Sequence, residues 1–108
     1  MNEKDILIVL CTFPDLGKAR ETGTALVESQ LAACVNLIPA VESIYRWEGK
    51  VETAEEVLAV FKTTPEAWLR FESRLRELHP YDVPEIVALK PEQVSEGYAR
   101  WVGTSVAV

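Results

Sequence analysis

Short apolar runs alternate with longer amphipathic stretches along this chain, and the spacing within each predicts what it forms. Residues 6 to 12, ILIVLCT, are apolar almost without interruption. The run is too short for a helix and has the pattern of a strand covered on both faces. The stretch FPDLGKARETGTALVESQLAA then changes period. Leu16, Ala19, Gly23, Leu26, Val27 and Leu31 recur three or four residues apart, which puts them on one face of a helix, with Asp15 placed to cap its start. Gly23 weakens such a helix but allows close packing on a sheet.

CVNLIPAVESIYRW, EGK and VETAEEVLAVFKTT read together as a long hairpin, rich in β-branched and aromatic residues. Glu48-Gly49 is a weaker turn pair than Asn-Gly, so a connection of three or four residues is expected. Pro39 has no N–H to give a ladder, which predicts a bulge, a bend or an edge position. In TTPEAWLRFESRLRELHP the helix pattern is strongest. Thr64 is its cap, Pro65 its first position, and Trp68, Phe71, Leu75 and Leu78 form its apolar stripe. It must stop near His79, because the residue before Pro80 is pushed out of helical geometry. EIVALK reads as a fourth strand, and EQVSEGYARWV as a short last helix carrying Tyr98, Trp101 and Val102 inward.

The resulting order, βαββαβ with an extra C-terminal helix, predicts an α+β protein of the ferredoxin-like, split βαβ type, an antiparallel sheet with its helices on one face. Residues 1–108 form one domain, with no linker, repeat or low-complexity tract. Along the first strand Ile6, Ile8 and Leu10 face one way and Leu7, Val9 and Cys11 the other, so both faces of a central strand are apolar. Fully burying one such side chain is worth roughly 1.5–3 kcal/mol. Packing of the uncovered sheet face against further copies, in a closed cyclic assembly, is therefore expected. The alternative is a monomer whose last helix folds beneath the sheet.

Charge narrows the partners. The net charge is −6 and no long Lys/Arg cluster occurs, which argues against nucleic acid. No apolar run approaches the ~20 residues of a membrane helix. MNEKDILIVL does not read as an export signal, so a cytoplasmic location is expected. Enzymatic chemistry is not expected either. PDLGKARETG lacks the glycine spacing of a phosphate loop, and Cys11 with His79 would act as nucleophile and base only with a lowered thiol pKa.

His79 is the only histidine. In the predicted topology the second long helix delivers it to the edge where the first strand ends and the fourth begins, beside Cys11 and Glu85. Thiolate, imidazole and carboxylate are a donor set for zinc or copper ions. Each residue also has a plainer reading: Cys11 as core, His79 as a helix stop bonded to the last carbonyls, Glu85 as the partner of a rim arginine. Tyr45 and Trp47 likewise line a cleft between subunits or simply pack an interface.

LAACVNLIPAVESIYRWEGKVE, FKTT, HPYDVPEIVAL and GYARWV resemble the CutA divalent-cation tolerance family, over nearly all of residues 6 to 102. The stretch LKPEQVSEGY departs from the Leu-Pro and Gly-rich turn expected of that family. The resemblance implies a homotrimer with sheets packed about the three-fold axis, and a role in tolerance of copper and other heavy metals. It carries the copper-binding set onto Cys11, His79 and Glu85. Three ligands leave a coordination position open, so weak, exchangeable binding of copper, zinc or another divalent cation follows. The alternative is a trimeric signalling or adaptor module like the PII proteins, binding a small molecule or protein between subunits. Such a module needs a long partner-reading loop, and the second and third strands are joined here only by WEGK.

Overall fold

The computed structural model describes residues 5–107. Its elements are β1 (Leu7–Phe13), α1 (Leu16–Glu28), β2 (Cys34–Trp47), β3 (Lys50–Thr63), α2 (Trp68–Leu78), β4 (Ile86–Leu89) and α3 (Glu96–Ser105). The strands form one sheet in the order β2-β3-β1-β4, and all three neighbouring pairs are antiparallel. This is the α+β, ferredoxin-like arrangement expected from the order of elements.

Capping decides where the helices begin. Asp15, in extended geometry, accepts a hydrogen bond from the Lys18 N–H at 2.8 Å and starts α1. Thr64 accepts from the Ala67 N–H at 3.3 Å, and a 3₁₀ turn over Pro65–Ala67 leads into α2. The helix ends as Pro80 demands, with His79 already extended at ψ 138°. Pro39 coincides with a shift of register between Ile38 and Val41 and with Ala40 at φ 60°, so the expected bulge is present, on an edge strand.

Two expectations need correction. The β2–β3 connection is two residues, not three or four: Trp47 pairs with Lys50, and Glu48 and Gly49 sit at φ 50° and 79°. That is the turn whose twist matches a hairpin, and it outweighs the modest propensity of Glu48 for left-handed geometry. In α3, Val102 and Ala99 are buried, but Tyr98 and Trp101 remain 39% and 46% exposed. The helix seats on Ile6, Ala33 and Ala67, small residues that need only its Ala99–Val102 side.

The strand register divides the sheet into two faces. Val9, Cys11, Phe13, Val57, Ala59 and Phe61 are buried with Leu26, Phe71 and Leu75 beneath α1 and α2. On the opposite face Ile8 and Leu10 pair with Leu89 and Val87, and Leu58 with Ile38. Leu89, Val87 and Ile38 are 47%, 45% and 46% exposed. The hairpin also runs on past Phe13, the last β1 residue to pair with β3, and bares Ile44, Trp47 and Val51.

Candidate functional site at the β1–β4 rim

Antiparallel pairing of β1 with β4 puts Cys11 opposite Ile86, so Glu85 lies beside the end of β1. α2 finishes at the same rim and delivers His79, whose Nε2–H donates to the Thr12 carbonyl at 2.8 Å. The other ring nitrogen, Nδ1, accepts from the Tyr81 backbone N–H at 3.1 Å. A carbonyl can only accept and an amide N–H can only donate, so the pair fixes the neutral Nε2–H tautomer. The ring stacks on Phe13 with centroids 4.5 Å apart. Burial pushes the His79 pKa below its ordinary value, opposed by the Thr12 carbonyl and the Glu56 charge.

Cys11 lies on the helix-facing side of β1 and is fully buried. Its thiol points weakly to the Thr12 carbonyl, 3.9 Å away, so that oxygen serves both donors. Desolvation pushes the thiol pKa up to about 12, and the charges of Glu85 and Glu56 add to the shift. At neutral pH it is a protonated core thiol, a poor nucleophile and a poor ligand until it is uncovered. Glu85 is exposed. Among the described residues its carboxylate has no ion-pair partner, so the rim-arginine reading has no counterpart.

The three expected donors therefore share one rim without sharing a focus. Among the described residues no three His, Cys, Asp or Glu side chains form a group able to hold one ion. In this closed arrangement both His79 nitrogens are occupied and Cys11 faces inward. No buried polar side-chain atom among the described residues lacks a partner, so no unmet polar group marks a waiting site.

One rim residue, Tyr81, and its contact with Glu56 escaped sequence reasoning. Tyr81 donates its hydroxyl proton to Glu56 Oε2 at 2.7 Å, and its ring lies 4.8 Å from that of His79. Burial and this bond both hold the Tyr81 pKa above the usual phenol range. The only available signal was the position of Tyr81 two residues after His79. Its partner Glu56 is 25 positions away and invisible to any local pattern.

The comparisons with known proteins bear on the family and the fold. Residues 7–105 match the family described as CutA1 divalent ion tolerance protein. The chain belongs to that family. It is 46% identical over 95 residues to the divalent-cation tolerance protein CutA of Thermus thermophilus, covering 88% of this chain and 92% of that one. It is 45% identical over 91 residues to human protein CutA, covering 84% of this chain and 51% of the longer human protein. Among solved structures, the Cut A1 divalent cation tolerance protein of Thermus thermophilus superimposes with a TM-score of 0.91 at 43% identity, over 94% of this chain and 99% of that one.

Proposed function

We propose that this chain serves divalent-cation tolerance as a cytoplasmic homotrimer that takes up copper-class ions as weakly held, exchangeable cargo, with zinc as a second candidate. Cys11, His79 and Glu85 are the proposed donors. The observation that carries this reading is the meeting of three separate segments at one margin: the end of β1, the end of α2 and the start of β4. The names borne by related proteins independently support the divalent-cation tolerance part of it.

The closed geometry accounts for the weakness of binding. To serve an ion, His79 must release either Thr12 or Tyr81, and Cys11 must lose a proton whose pKa is near 12. Both costs subtract from the affinity, and thiolate formation makes uptake improve as pH rises. The hairpin connection of two residues offers no long loop for reading a partner, which favours a passive cation binder over a signalling module.

Calorimetric titration of copper(II) into the protein tests this. Binding is expected at about micromolar affinity, with Cys11→Ala and His79→Ala each weakening it at least about tenfold, a difference of about 1.4 kcal/mol. Glu85→Gln, at an exposed position that leaves the core untouched, is expected to weaken it also. Unchanged binding in all three variants removes the rim from the function.

A further inference from the structure

The segment joining α2 to β4 is held to the sheet chiefly through side chains. His79 anchors it to β1 through the Thr12 carbonyl, and Tyr81 anchors it to β3 through Glu56. Pro80 stands between these anchors, and Asp82, Val83, Pro84 and Glu85 stand between them and β4, with Asp82, Val83 and Glu85 exposed. The two prolines have no N–H with which to tie the backbone down.

Cys11 lies close to His79 at the start of this segment, since both side chains point to the Thr12 carbonyl. Residues 11 and 13 of β1 project from the same side of the strand. Phe13 therefore stands between Cys11 and the rim, and His79 is stacked on Phe13. A reagent arriving from the rim meets His79 and Phe13 before the sulfur.

We propose that the segment from His79 to Glu85 is a latched cover over Cys11, that the Tyr81–Glu56 hydrogen bond is its latch, and that this latch sets how fast a copper-class ion reaches the thiol. Only the last part rests on the function proposed above; the cover itself is a property of the metal-free protein. Tyr81 and Glu56 are positioning residues here, acting through the segment they hold and not as ligands. Opening is a local event that needs no general unfolding, since the exposed segment can leave while β1, β3 and the two long helices stay packed.

Alkylation of the full chain by iodoacetamide, followed by mass spectrometry of the Cys11 peptide, tests the latch without any metal and separates Cys11 from the half-buried Cys34. Tyr81→Phe removes one oxygen and keeps the ring. It is expected to speed labelling of Cys11 about tenfold, the order appropriate to a hydrogen bond with a charged acceptor. Glu56→Ala is expected to speed it at least as much, since it also removes a charge that raises the thiol pKa, and the double variant to label no faster than Glu56→Ala alone, because Tyr81→Phe then has no contact left to remove. In low urea the faster labelling is expected to stay nearly flat, since local opening exposes little new surface. An unchanged rate in Tyr81→Phe overturns the proposal, as does a rate that climbs with urea as steeply as global unfolding. Titrating copper(II) into the same variants keeps the two readings apart. Faster labelling with no copper uptake in the native chain leaves the latch standing and ends the metal function. Copper uptake with unchanged labelling does the reverse.

Discussion

His79 meets both of its hydrogen-bond needs inside the protein, and this gives its protonation a measurable cost. A proton on Nδ1 would face the Tyr81 N–H, donor against donor, while burial already disfavours the charged ring. Its folded pKa is thus lowered, and the unfolded chain binds the proton more readily. The stability owed to neutral His79 is complete above the unfolded value of about 6.5 and is lost as pH falls from there through the folded pKa. Urea midpoints measured at pH 7.5 and 5 are expected to separate more in the native chain than in His79→Gln, which cannot titrate; equal separation would show that His79 carries none of the acid sensitivity. The presence of Cys11, His79 and Glu85 at one margin was legible from topology, because strand order alone carries segments distant in sequence to a shared edge. Their orientation was not legible. Whether Cys11 faces the helices or the open side depends on which face α1 and α2 choose, and the apolar run around it is apolar in both directions.

At the scale of elements, Gly23 shows propensity and packing in opposition. A Cβ added there would come within 2.9 Å of Val35 Cγ1 on the neighbouring strand. Val35 is β-branched and stiff, so the crowding cannot be relieved by swinging a long side chain aside. Helix propensity favours alanine by about 1 kcal/mol, whereas overpacking costs about 1–3 kcal/mol. Gly23→Ala is therefore expected to destabilise the native chain by about 1 kcal/mol in chemical denaturation, yet to stabilise a Val35→Ala chain, where the room exists. Destabilisation of similar size in both backgrounds would place the cost in the backbone and not in the contact. The usefulness of Gly23 for close packing on a sheet was readable from its place on the apolar helix face. The two-residue turn and the outward Tyr98 and Trp101 were not. The turn is set by the twist of two long paired strands more than by the residues in it, and the α3 aromatics by how little surface Ile6, Ala33 and Ala67 offer to that helix.

At the scale of the whole molecule, the sheet poses the question of its second face. α1 and α2 bury Val9, Cys11, Phe13, Val57, Ala59 and Phe61 on one side, while α3 seats on its own small cluster and leaves Ile38 on β2 and Val87 and Leu89 on β4 about half exposed on the other. Single exposed apolar residues are ordinary, but a patch running from Ile38 through Leu58, Val60 and Leu10 to Val87 is what monomers seldom leave bare. The protruding hairpin adds Ile44, Trp47 and Val51 at a distance that no element of the same chain spans, since the molecule is 44 Å long and only 26 Å and 22 Å across. A closed ring of copies would cover both surfaces at once, and a three-fold ring is the assembly proposed. Sedimentation equilibrium is expected to give three times the chain mass of 12.1 kDa. Leu89→Asp places a charge on the open face, at the end of an edge strand of only four residues, where folding of the single chain leaves it about half exposed. In the assembly that charge would be desolvated without a partner, a cost of several kcal/mol spent against association alone. The variant is expected to sediment as a single chain with its circular dichroism retained. If it kept the native mass, the open face would not be the contact, and the exposed tip of the hairpin would have to hold the copies together by itself.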